Sequence, residues 1–204
     1  MIETTRKMTL MNDSRQIILD TIRRAHHGEF PLPDVPSFSV PGDAIENFLS
    51  NLESFDGKAI RLSSRQEAIK WLEENVSADG KTVFSAVADF NGNFPLSRVD
   101  DPHNAHVIDI CIGEGLLGVG ESGSVWVTDA SLGKAACALM STDLYLLLDK
   151  NLIVADMHEA YERINLRADP YGSFFSGPSA TADIEAVRVT GAQGEISLTV
   201  LIYG

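Results

Sequence analysis

The sequence predicts an α/β fold built mainly on a parallel sheet flanked by helices. Three observations predict it. Segments with strand character alternate with segments of helical periodicity along the chain. Apolar runs such as Thr82–Val87 and Asp143–Leu148 lack the polar alternation of a half-solvated strand, as burial on both faces requires. Helical segments open on capping residues, as in Ser64-Arg65-Gln66-Glu67.

The elements follow in order. Asp13-Ser14-Arg15-Gln16 resembles a capping box and starts a helix that carries Ile18, Ile22 and Ala25 on one face and ends at Gly28. His26 and His27 in its last turn suit the helix dipole better than a metal. Pro31, Pro33, Pro36 and Pro41 make residues 30–41 an extended connector, so the helix stands off from the body or packs on a neighbouring subunit. A helix over 43–54 places Ile45, Phe48, Leu49 and Leu52 on one face. Gly57 turns the chain into a strand, Ala59–Leu62, and the Ser64 helix runs to Asn75. The strand at 82–87 is followed by a loop over 89–104, rich in Asp, Asn and Pro, and by a strand at His106–Ile112.

A glycine-rich turn leads to the strand Ser124–Thr128 and a short helix at Ser131–Met140. The strand Asp143–Leu148, a short strand at Ile153-Val154 and a helix over Ala155–Asn165 follow. The chain closes with a helix at 181–186 and strands at 187–190 and 196–202, the last two near enough to pair as a hairpin. The expected organisation is an extension at 1–11 (or an early start codon), the helix and connector at 12–42, and one α/β domain at 43–204.

Composition bounds the function. The chain has 204 residues, 29 Asp+Glu against 16 Lys+Arg and a formal charge of -13. That balance argues against nucleic acid and against anionic membrane surfaces, both of which need basic patches. No apolar run approaches the ~20 residues of a membrane span, and no segment has the apolar core of a signal peptide. The expected location is the cytoplasm. Cys111 and Cys137 sit in apolar surroundings without CxxC spacing, as buried thiols in a reducing compartment do.

Two polar segments are candidates for chemistry. Gly118-Val119-Gly120-Glu121-Ser122-Gly123 matches GxGxxG, but a strand follows it where a dinucleotide site needs a helix, so NAD or FAD is not expected. What remains is an exposed loop that offers Glu121, Ser122 and Ser124 on Gly120 and Gly123 backbone, with Glu121 a candidate nucleophile or base. The plainer reading is a turn whose glycines meet backbone needs. The second segment, Ser176-Gly177-Pro178-Ser179-Ala180-Thr181, enters a helix at Ala182-Asp183-Ile184-Glu185. Small residues before a helix N-terminus suit a small carboxylate or phosphate, held by Ser176, Gly177, Ser179 and Thr181. The plainer reading, favoured by the local pattern, is that Ser179 or Thr181 caps the helix. His103, His106 and Asp109 are spaced by threes, but on a strand His106 and Asp109 face opposite sides, so no metal site is expected. His158 reads as a helix-surface histidine.

Both segments carry a family resemblance. Gly118–Val127 is similar to the "IAETGT/S" block of the lactate-utilisation protein C family, the LUD domain, and Ser176–Glu185 is close to that family's SGPSxTADIE. The opening NDSRQIILDTIRRA resembles its first helix; residues 43–104 match by element order alone. The chain departs from the family at Gln193 and Thr199, where relatives carry histidines.

The resemblance implies a fold similar to CoA transferases, ribose-phosphate isomerase and glucosamine-phosphate deaminase. It implies a part in oxidising L-lactate to pyruvate beside partner subunits that carry iron–sulfur clusters, with no cofactor on this chain. Two functions stay open. One is an accessory subunit of that oxidoreductase system, with or without a small anionic ligand. The other is an enzyme that uses Glu121 with the 176–181 loop, since Glu121-Ser122-Gly123 distantly resembles the CoA-transferase glutamate. Homo-oligomerisation is also left open.

Overall fold

A computed structural model describes residues 2–25, 28, 31, 33–34, 36, 40–76, 79–168, 171–181, 189–191 and 193–204, with positions 2–13 described by backbone alone. The chain divides into two compact units, Met1–Ser39 and Val40–Gly204, so the break falls inside the proline-rich stretch.

Among its described residues the first unit has one helix, α1, Ile2–Ala25. It continues through Asp13, which is therefore not an N-cap, and the expected separate extension at 1–11 is helical from residue 2. Asp20 accepts from Gln16 and pairs with Arg23 on successive turns. Ile17, Ile18 and Ile22 are exposed. The reading of His26 and His27 lies outside the described residues.

In the second unit α2 spans Ala44–Ser54, and Asp43 caps it by accepting from the amides of Ile45 and Glu46. Strand β1 is Lys58–Leu62 and α3 is Arg65–Asn75. The expected cap at Ser64 forms: its hydroxyl accepts from Glu67 N at 3.2 Å, while the Glu67 carboxylate reaches back to the amide and hydroxyl of Ser63. Then come β2 (Val83–Ser85), β3 (Ile110–Glu114), β4 (Leu117–Val119), β5 (Ser124–Thr128) and α4 (Ala135–Leu139). The chain continues through β6 (Asp143–Asp149), β7 (Ile153–Val154), α5 (Met157–Arg163), β8 (Gly172–Phe175), β9 (Ala180–Thr181), β10 (Val189–Thr190) and β11 (Ser197–Tyr203).

Five strands form one sheet in the order β1-β11-β6-β3-β2, and every pairing in it is parallel. The architecture is thus α/β with a parallel central sheet flanked by helices. β11 and β6 pair over seven positions, Ser197 with Asp143 through Tyr203 with Asp149. Residues alternate between the two faces. Leu144, Leu146, Leu148, Leu198, Val200 and Ile202 meet Phe48 and Leu52 of α2. Leu147 and Leu201 meet Ala68 and Leu72 of α3 on the other face. A second, four-stranded sheet, β7-β4-β5-β8, is antiparallel apart from β4 with β7. Its Val125, Val127 and Phe175 join the α2 core, and its Leu117, Val119, Trp126 and Phe174 face Ala160 of α5.

Three expectations change. β11 does not form a hairpin with the strand before it. Its buried run Leu198–Ile202 needs neighbours on both sides, which β1 and β6 supply, and β10 pairs instead with β9. Thr181 is therefore a strand residue rather than the start of a helix, and 182–188 lie outside the described residues. His106 is not in a strand: Pro102–Val107 form a 3-10 turn with Asp101 accepting from His103 N, and β3 starts only at Ile110.

Candidate functional site

The glycine block is a β-hairpin. β4 enters at Gly118, the chain turns through Gly120–Gly123, and β5 leaves at Ser124. The glycines sit between two strands, with no helix opening from them. The loop expected to be exposed is mostly covered: Gly120, Gly123 and Ser124 are buried, Ser122 is half-buried and Glu121 alone is exposed. The cover is α2. A Cβ on Gly123 would lie 2.1 Å from Leu52 N, and φ there is +61°. Asn51 Nδ2 donates to the carbonyls of Gly120 and Glu121 at 2.8 and 3.1 Å.

Glu121 is held at both ends. Its amide donates to Ala155 O at 3.0 Å, and its Oε1 accepts from Met157 N, at the first turn of α5, at 2.8 Å. The Ser122 and Ser124 hydroxyls share a hydrogen bond at 2.6 Å.

The second segment meets the first at one point. Ser176 directly follows β8, the neighbour of β5, and its hydroxyl donates to Ser122 O at 2.8 Å. Gly177 has φ +78°, and a Cβ there would lie 2.1 Å from Phe55 O, the residue that ends α2. Both segments thus close on the last turns of α2. Beyond Gly177 the chain goes elsewhere. Ser179 N donates to Glu195 O at 3.0 Å, Gly191 N donates to Ser179 O at 2.7 Å, and Thr181 pairs with Val189. Glu195 lies two residues before β11, so Ser179 sits at the amino end of the parallel sheet. Ligands of open α/β sheets sit outside the carboxyl ends.

Sequence reasoning missed two groups. At the carboxyl ends of β1, β3 and β11, Arg65 forks onto Glu114 with contacts of 2.5 and 3.2 Å, reaches Asp89 at 2.9 Å and donates to Tyr203 Oη at 3.1 Å. Its two carboxylates raise its already high pKa further. Glu114 lies between Gly113 and Gly115 at the end of an apolar run, a charge placement that could have flagged it. Glu195 is the second. It is 3% exposed, and burial pushes its carboxyl up to about 7. Its position before the apolar β11 was its only sequence signal.

Cys111 and Cys137 are both fully buried in the α2-side core. Burial raises the Cys111 thiol far above its ordinary range and that of Cys137 to about 11. Neither is a ready thiolate ligand. Among the described residues no group of three or more His, Cys, Asp and Glu is placed to hold a metal ion, and no helix is long and apolar enough to cross a membrane. Gln193 is exposed and Thr199 is buried in β11.

Comparison with known proteins then decides the family. The model of the LUD domain matches residues 90–203, which include both segments, β3 to β11 and Glu195. The chain belongs to the LUD domain family. A solved structure, that of a DUF162 family protein from Deinococcus radiodurans, is similar in fold with a TM-score of 0.62 at 13% identity. The match covers 79% of this chain and 96% of that one. No curated protein matches the sequence. The two segments that carry the sequence resemblance both lie within the matched region and are the two that grip α2.

Proposed function

We propose that this LUD domain protein is an accessory subunit of an L-lactate utilisation system, in which partner chains bearing iron–sulfur clusters oxidise lactate to pyruvate. Removing electrons from lactate requires a redox carrier, and an iron–sulfur cluster usually takes four cysteine ligands. This chain has two cysteines, both in its core. The observation that carries the reading is where the motif groups are committed. Glu121 caps α5, Ser176 holds Ser122, and the glycines admit α2. Those are the duties of a scaffold.

A small carboxylate or phosphate at the 176–181 loop is part of the proposal. Because Ser179 N is engaged with Glu195, such an anion relies on the hydroxyls of Ser179 and Thr181 more than on that amide. Lactate, pyruvate or phosphate at millimolar concentration is expected to raise Tm, and the double variant Ser179→Ala/Thr181→Ala to lose the shift. If none of the three shifts Tm, the anion is withdrawn.

The competing reading is an enzyme of the CoA-transferase or sugar-phosphate-isomerase class with Glu121 as its acid, base or nucleophile. It draws on the exposure of Glu121 and on its fixed Oε1, which leaves the other carboxylate oxygen open to a substrate. The purified chain separates the two. As an accessory subunit it shows no lactate-dependent dye reduction alone, with or without NAD, and supports it when the iron–sulfur partners are added. Robust lactate oxidation by the chain alone overturns the subunit reading.

A further inference from the structure

We propose that the cleft floored by Trp126 binds a carboxylate with an apolar body, of the acyl or aryl class, at a site whose lining includes neither Glu121 nor the 176–181 loop. The cleft has a volume of about 430 Å³, within the range of small-molecule pockets. Its place in the fold is the first argument. Leu116 follows the carboxyl end of β3 and Leu152 follows that of β6, and both line the cleft. The region outside the carboxyl ends of parallel strands is where α/β folds take their ligands.

The floor is pre-formed. Trp126 is 9% exposed, and Phe174 fixes its ring from 4.8 Å. Gly172 also lies against it, where a Cβ would stand 2.3 Å from the indole, so the ring packs on bare backbone there. Leu116, Leu152 and Leu166 stay 41%, 40% and 60% exposed at the rim. Clustered exposed apolar side chains of this kind mark binding surfaces.

Charge selects the ligand class. The chain carries 29 acidic residues against 16 basic ones, yet of the described residues lining the cleft the charged one is a cation, Arg163. It pairs with Glu159 one turn back on the exposed face of α5. Such surface pairs contribute little, so the guanidinium can turn to an incoming carboxylate, which it matches with two parallel hydrogen bonds. An apolar body would then lie on Trp126, Leu117 and Ile164. Lactate and pyruvate have no such body. The site is independent of the lactate-utilisation proposal, and failure of either leaves the other standing.

The chain has two tryptophans, so the variant Trp71→Phe makes Trp126 the only tryptophan, excited selectively beyond the tyrosine absorption band. Octanoate, octanol and lactate are titrated against its fluorescence. Octanoate is expected to shift the emission and to bind more tightly than octanol, with lactate inert. Arg163→Gln should weaken octanoate by about tenfold, as loss of a charge-assisted bond does, and leave octanol unchanged. Leu152→Asp should abolish octanoate binding. No shift with octanoate up to millimolar concentration overturns the proposal. So do equal affinities for octanoate and octanol, an unchanged affinity in Arg163→Gln, or undiminished binding in Leu152→Asp.

Discussion

The hydroxyl of Ser176 donates to the carbonyl of Ser122 across 2.8 Å, joining segments 54 residues apart. On either side of that bond the backbone presses on α2, with Gly123 against Leu52 and Gly177 against Phe55. The two motif segments therefore act as one clasp.

The clasp predicts a ranking. Gly123→Ala and Gly177→Ala each force a Cβ to 2.1 Å from α2 backbone at a left-handed φ. Each is expected to cost about 2–4 kcal/mol, a fall in Tm of roughly 5–15 °C in a domain this size. Ser176→Ala loses one hydrogen bond and is expected to cost about 1 kcal/mol. Thermal or urea unfolding of the three variants checks the order. A mild effect at both glycines would mean that α2 is not gripped there.

At the other end of the central sheet, Arg65 ties α3 to Glu114 of β3 and Tyr203 of β11. Its side chain is 30% exposed, so the loss is smaller than for a fully buried pair. Arg65→Met leaves Glu114 without its guanidinium and is expected to lower stability by about 1–3 kcal/mol. Arg65→Lys keeps the charge without the fork and should recover only part of it. Denaturant midpoints of the two variants test this. Full recovery by lysine would show that charge alone matters.

Much of this fold was legible because burial writes itself into strands and caps into helix starts. Asp143–Asp149, apolar at its centre, could only be a central strand, and Ser64 with Glu67 could only open a helix. The hairpin at the chain's end misled because the sequence shows that β10 and β11 are neighbours in order, while their pairing is decided by β9, β1 and β6, all distant along the chain. His106 misled in the same way, since the cap at Asp101 followed by Pro102 sets a 3-10 turn before β-propensity takes over at Ile110. The candidate segments were legible as motifs, but their burial was not. Nothing in Gly120–Gly123 says that a helix 70 residues earlier covers it. Arg65 was missed because only the folded sheet brings its partners near, and Glu195 because only the fold buries it.

Glu195 makes stability depend on pH. Its folded pKa, about 7, is raised by burial above the ordinary value of 4.5. The native state therefore holds this proton more tightly than the unfolded state. The contribution is fully present below pH 4.5 and is lost as pH rises through about 7. The loss is no more than about 3 kcal/mol. Glu195→Gln keeps the shape without the charge. It should raise Tm at pH 8, leave it near parent at pH 4.5, and flatten the slope between. Melting curves across that range check it, and an equal gain at both pH values would remove the titration from the explanation.

Glu121 separates the two functional readings most directly. Its Oε1 accepts from Met157 N beside the N-terminus of α5, where Asp156 already caps by accepting from Glu159 N. A carboxylate there is favoured by the helix dipole, and glutamine still offers an oxygen to the amide. Glu121→Gln should therefore lower stability by no more than about 1 kcal/mol. In the reconstituted complex it should leave lactate oxidation within about twofold of the parent, a difference of less than 0.5 kcal/mol in barrier. A nucleophile or general base cannot be replaced so quietly: its loss lowers kcat by about a hundredfold or more. A drop of that size with Tm unchanged would make Glu121 catalytic and this chain an enzyme. An unchanged kcat with a slightly lower Tm is the outcome expected of a carboxylate that positions α5.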